Sequence, residues 1–278
     1  MPKRQPESNQ EPVVQRIRLR YAKRGPLRFT SHRDFARAFE RALLRANVPI
    51  AYSQGFTPHP KVSYASAAPT GVASEAEYLE IGLRAVVDPA RLRVALDAAL
   101  SPGLDVIEAV ESPLNGGGSL ADLIDASSWR IELPGIAAHA ADAAVRVFLD
   151  APEVLVERLT KQGRRTFDTR AAVVRLGCSG AGPGHEELSD SAVGDVPSEV
   201  TDIPCAILDL VVRQVTPTVR PDDVLSGLRV VADLEPPVPP RATRLAQGVL
   251  TEQGDLVDPL AQAGVGDRPV AVVGTSSL

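Results

Sequence analysis

Between residues 13 and 22 the chain alternates, with Ile17, Leu19 and Tyr21 on one side and Arg16, Arg18 and Arg20 on the other. A period of two predicts a half-buried strand whose outer face is cationic. The period then lengthens. Phe35, Ala38, Phe39, Ala42, Leu43 and Ala46 recur at steps of three and four, which is the apolar stripe of a helix. Ser31, with Asp34 three positions on, has the spacing of a capping box. In that arrangement the hydroxyl takes a first-turn amide and the carboxylate reaches back to the Ser31 amide. Arg33, Arg37, Arg41 and Arg45 stand four apart and drift slowly around the same cylinder, forming a positive ridge. Asn47 and Pro49 stop the helix.

Short strands are predicted at 48–53, 61–67 and 76–83. Asp88 followed by Pro89 opens a second helix that carries Leu92, Leu96 and Leu100. Gly103 ends it, and 104–110 reads as another strand. A β-α-β-β-α-β order is that of the ferredoxin-like split βαβ. After the Gly-rich stretch 112–125 the order repeats, with strands at 129–133, 153–160, 171–176, 206–215 and 243–250. Helices fall at 137–149 and 221–231, and Gln253-Gly254-Asp255 turns the last strand back. The expectation is an α+β chain of two ferredoxin-like halves. Residues 1–12 are expected to be disordered and 13–111 to form a basic first domain. A linker follows at 112–125, then a second domain at 126–260 with an acidic disordered insertion at 179–204, and a flexible tail at 261–278.

Composition sharpens this picture in one respect. The 278 residues carry a formal net charge of -5, which taken alone argues against a polyanion binder. The charge is segregated, however. Residues 13–66 hold eleven Lys or Arg against two acids, Asp34 and Glu40, whereas 179–204 holds six acids and no base. Arginine number by itself carries no argument, because 26 Arg against four Lys is the usage of a GC-rich genome. Hydrophobic residues make up 44% and aromatic ones 4%, so the core is expected to be aliphatic. Two cysteines, Cys178 and Cys205, form no CxxC, and no apolar run approaches membrane-spanning length. Both point to a reduced, cytoplasmic protein with no membrane partner.

Candidate chemistry gathers between residues 25 and 61. His32 opens the first helix, where the dipole favours an anion, and Arg28, Arg33 and Lys61 add charge. His59 lies between two prolines in Gln54-Gly55-Phe56-Thr57-Pro58-His59-Pro60, which stiffen its loop. The expectation is one ligand pocket of Arg28, Ser31, His32, Arg33, Asp34, Gln54, His59 and Lys61. Asp34 is committed to the cap, so no metal set is assigned, and no cofactor is expected. Arg16, Arg18, Arg20, Arg37 and Arg41 are the candidate nucleic-acid contacts, the first three on the sheet face that RNA-binding sheets use. That face offers no aromatic ring for base stacking. Glu75 and Glu77 are positioned to pair with arginines. The residues at 161–165 read as a basic hairpin tip. No role is assigned to His139 or His185.

Several of these motifs, taken together, resemble one family. They are Gly25 to Phe29, Ser31-His32-Arg33-Asp34, the run from Ser53 to Lys61, and Gly71-Val72 with Ser74 and Glu77. They are similar to the bacterial radical-SAM-linked family, a domain of unknown function fused to, or encoded beside, a radical SAM protein. The resemblance covers roughly residues 13–114. It implies a radical SAM partner, and a gene neighbourhood with a ribonuclease implies RNA metabolism. It transfers no catalytic residue. A radical SAM cluster needs CxxxCxxC, which Cys178 and Cys205 cannot supply, so the chain reads as the accessory.

Three functions stay open. The leading expectation is a non-catalytic accessory that holds RNA or another anionic substrate for a radical SAM enzyme. An alternative is a metal-independent, ribonuclease-like enzyme with His32 or His59 as general base. The third is a protein-only scaffold docking through the acidic insertion.

Overall fold

The alternating segment folds as β1 (Gln15–Lys23) and the stripe as α1 (His32–Arg45), joined by a 3-10 turn at Gly25–Phe29. The computed structural model describes residues 11–54, 56–115, 118–160, 163–181 and 204–261. Ile17, Leu19 and Tyr21 of β1 are buried against Phe35, Phe39, Ala42 and Leu43 of α1. Tyr21 stacks on Phe35, with ring centroids 4.2 Å apart and planes 2° from parallel. β2 (Val62–Ala65), β3 (Ala73–Leu83), α2 (Pro89–Ala99) and β4 (Val106–Ser112) follow. β1 lies between β4 and β3, β2 pairs with β3, and all these pairings are antiparallel. Leu92 and Leu96 of α2 enter the same apolar cluster as α1, so both helices cover one face of the sheet.

Residues Ala126–Thr243 form a second compact unit, and Arg244–Leu278 groups with Met1–Asp125. The second unit contains β5 (Ala126–Pro134), α3 (Ala138–Asp150), β6 (Leu155–Thr160), β7 (Gly163–Asp168), β8 (Val173–Ala181), β9 (Cys205–Arg213) and α4 (Pro221–Ala232). β9 pairs antiparallel with β5 on one side and β8 on the other, while β6 and β7 form a separate hairpin. Gly227 lets α4 approach α3 closely. A Cβ there would stand 2.7 Å from the Phe148 ring. Residues 182–203, the bulk of the expected acidic insertion, lie outside the described residues, as do 1–10, 262–278, Lys161 and Gln162 of the hairpin tip, and His185.

β10 (Arg241–Leu250) then carries the chain back to the first unit, where it lies beside β3 and pairs with β11 (Leu256–Val257). The expected second domain, 126–260, therefore yields its last segment to the first unit. The stretch 112–125 is not a free linker either. Ser119 and Asp122 form a capping box around a 3-10 turn, and Leu120 and Ile124 are buried with Tyr78, Ala65, Ala76 and Leu260. Those residues cover the sheet face opposite α1 and α2. The expected strand at 48–53 reduces to single bridges, Ile50 to Leu83 and Tyr52 to Pro60. Asn47, at φ 49°, turns the chain there, and Pro49 lacks the N–H a ladder needs. The chain is thus α+β, rich in antiparallel strands, with four α-helices among the described residues. No helix among them is long and apolar enough to cross a membrane.

Candidate anion-binding surface

The outward arginines of β1 meet carboxylates of their own unit. Arg18 is 2% exposed, donating from Nε to Glu80 at 2.9 Å and from a terminal nitrogen to the Gly118 carbonyl at 3.0 Å. Arg16 reaches the same Glu80 at 3.2 Å, and the Ser112 hydroxyl donates to it at 3.3 Å. Arg20 spans Glu108 at 3.1 Å and Asp258 at 3.4 Å. The Tyr78 hydroxyl also donates to Asp258, at 3.1 Å. Phosphate contact does not fit Arg18, which is buried, and Arg16 and Arg20, though 44% and 28% exposed, have their charge matched by carboxylates of their own unit. Arg24 is likewise held, by Glu75 and by Asp105 at 2.8 Å, and the hydrogen bond to Glu75 raises its pKa.

On the helix side the apolar core gives way to a buried charged lattice. Glu77 and Arg244, 2% and 3% exposed, form an ion pair, and Arg244 Nε also donates to the Ser74 hydroxyl at 3.3 Å. Glu77 accepts the Ala68 amide at 3.1 Å, and Lys23 donates to the Pro69 carbonyl at 3.2 Å. Burial lowers the pKa of Lys23, with Glu77 pulling the other way. Burial, and then Glu77, pushes the Tyr21 phenol well up. These bonds anchor the loop at 66–72. Gly71, at φ 91°, donates from that loop to the Arg28 carbonyl at 2.8 Å and lies against the Phe29 ring. The lattice thus positions the start of α1.

Ser31 caps α1, its hydroxyl accepting the Asp34 amide at 3.2 Å and donating to the Asp34 carboxylate at 2.7 Å. Asp34 thereby takes the hydroxyl where the capping-box spacing predicts the Ser31 amide. Arg33, Arg37, Arg41 and Arg45 are all exposed, and none has an ion-pair partner among the described residues. The guanidinium of Arg28 lies 4.6 Å from the centre of the Phe29 ring. His32 is exposed at the first helical position, its ring edge-on to Tyr64 at 4.8 Å. Burial, with Glu40 adding to it, raises the Tyr64 phenol.

His59 stands elsewhere. Its amide donates to the Ser53 hydroxyl at 3.0 Å and its carbonyl accepts the Ser53 amide at 2.8 Å, closing a loop that exposes Gln54 and His59. Lys61, also exposed, donates its amide to the Ala51 carbonyl at 2.7 Å. Ile50, just before this loop, pairs with Leu83, whereas Tyr64 beside His32 pairs with Leu79. Four residues of β3 separate those points, about 14 Å of strand. The single pocket expected from the sequence is therefore two places. Arg28, Ser31, His32, Arg33 and Asp34 stand at the start of α1, while Gln54, His59 and Lys61 lie beyond its end. Neither histidine has a carboxylate or second imidazole at hydrogen-bond distance among the described residues, so the geometry adds nothing to a general-base role. No three His, Cys, Asp or Glu side chains gather as a metal set among them.

Two rings escaped sequence reasoning. Phe29 is 60% exposed and Phe56, at the tip of the His59 loop, is fully exposed. The one available signal was their setting, Pro26 to Thr30 and Gly55 to Pro58, where turn residues leave no apolar period to join.

These features define an α+β protein in which one helix carries four exposed arginines with no ion-pair partner among the described residues. Residues 16–221 match the model of a family described as an uncharacterized protein conserved in bacteria (DUF2344), and the chain belongs to that family. No curated protein sequence matches it.

Proposed function

We propose that this protein is a non-catalytic accessory that binds RNA or another anionic substrate on the surface of α1 and presents it to a radical SAM enzyme. The observation that carries the reading is the contrast in pairing. The arginines of α1 are exposed and unpartnered among the described residues, whereas those of β1 are neutralised. A row of unpaired guanidinium groups attracts polyanions and releases their counterions on contact. The radical SAM partner rests on the motif resemblance, and the two cysteines leave radical generation to that partner. We read the first unit as ferredoxin-like, a reading supported by its strand order β4-β1-β3-β2 and its two helices on one face. The second unit is read as a variant with the β6–β7 hairpin added.

Salt titration tests the binding. Labelled RNA mixed with the purified chain should lose affinity steeply between about 50 and 200 mM salt. Affinity that hardly changes over that range would remove the phosphate contact on which the reading rests.

A further inference from the structure

We infer that the polyanion is single-stranded, its unpaired bases stacking on Phe29 and Phe56 while the arginines of α1 hold the phosphates between them. The inference rests on the anion-binding reading above and names the substrate class of that surface.

Three observations converge. The first is exposure: a fully exposed Phe56 and a Phe29 that is 60% exposed leave apolar rings in water, a cost that a stacked base would relieve. The second is bracing. Phe56 rides on a loop closed by two hydrogen bonds between Ser53 and His59. Phe29 lies against Gly71, in the loop fixed by Lys23 and Glu77. The third is placement. Phe29 precedes α1 by three residues, and the Phe56 loop, closed from Ser53, begins eight residues after α1 ends, beyond the bridge from Ile50 to Leu83. The 14 residues of α1 span about 21 Å at 1.5 Å each, and the unpaired arginines lie along that span.

A cationic track with aromatic rings is the arrangement that grips single strands without reading sequence. A duplex keeps its base faces stacked and leaves both rings unused. Arg and Phe also occur in protein interfaces, but four arginines in succession along one helix with no ion-pair partner among the described residues complement a chain of phosphates. Here Arg28 lies over the Phe29 ring itself and Arg33 stands four residues on.

The experiment measures fluorescence anisotropy of the full chain with a labelled oligouridine, its oligodeoxythymidine counterpart and an RNA duplex, each of about 12 nucleotides. Phe56→Ala and Phe29→Ala should each weaken single-strand binding by at least about fivefold. They should leave the salt slope and duplex binding unchanged, with far-UV circular dichroism as the check on folding. Equal losses on both single strands support stacking whatever the sugar, and a loss confined to RNA supports it and names RNA as the source. Tight, salt-dependent binding that neither alanine variant alters would overturn the inference while sparing the anion-binding reading, and would assign the rings to a protein partner. A duplex bound better than either single strand overturns it too. No binding of any oligonucleotide overturns both.

Discussion

The arginines of β1 and those of α1 lie in one unit and read alike in sequence, yet the structure treats them oppositely. Arg18 is closed into Glu80 and the Gly118 carbonyl, and Arg20 is shared between Glu108 and Asp258. Arg33, Arg37, Arg41 and Arg45 face water with no partner among the described residues. The first set spends its charge on joining segments distant in the chain. The second leaves its charge facing solvent. Local charge density therefore does not measure available charge; pairing does.

The comparison can be broken most severely at its buried extreme. Arg244→Ala removes the ion-pair partner of Glu77 in the core, leaving it the Ala68 amide and the charge of Lys23, and should cost about 3 kcal/mol in urea unfolding. Replacing both partners, Glu77→Leu with Arg244→Met, should recover most of that. A loss below about 1 kcal/mol in the single variant would mean that the pair does not hold the returning strand. Arg16→Ala sits at the boundary between the two sets, since its side chain is 44% exposed. It should cost less than about 1 kcal/mol and leave the salt slope of RNA binding where it was; a lower slope would move Arg16 into the binding set. The smallest effect comes from the carboxylate that pairs with Arg158 in the second unit. Arg158 and the Arg220 amide both donate to Asp223 at 2.8 Å, yet burial outweighs them and raises the Asp223 pKa above 3.8. A raised folded pKa gives stability that is complete below the unfolded value and lost as pH rises through the folded one. Asp223→Asn should flatten that decline in melting temperature above pH 3.8. An unchanged profile would show that the carboxyl titrates as it does in the unfolded chain.

What could be read from sequence was what is decided locally. The α1 stripe, its Ser31 cap and the inner face of β1 follow from spacings of two to four residues. The fate of the outer β1 face was not legible, because its partners lie far along the chain. Gly118 is 100 residues from Arg18, and Asp258, which meets Arg20, is 180 from Tyr78. No periodicity encodes such pairings. The pairing of Glu75 and Glu77 with arginines, by contrast, was legible and is met by Arg24 and Arg244. The glycines at 116–118 drew attention from the apolar Leu120 and Ile124 behind them, which bury against Tyr78. Phe29 and Phe56 were hidden for the opposite reason, since a phenylalanine reads as core until its surroundings are seen.

α1, and not the sheet, is the surface we propose meets a polyanion. The most direct test compares the salt dependence of RNA binding in the wild type and in a chain with Arg33, Arg37, Arg41 and Arg45 all changed to alanine. The account predicts that the slope falls by about 0.7 for each arginine that contacts a phosphate, while stability stays within about 0.5 kcal/mol per site. A slope identical in the two chains would contradict it.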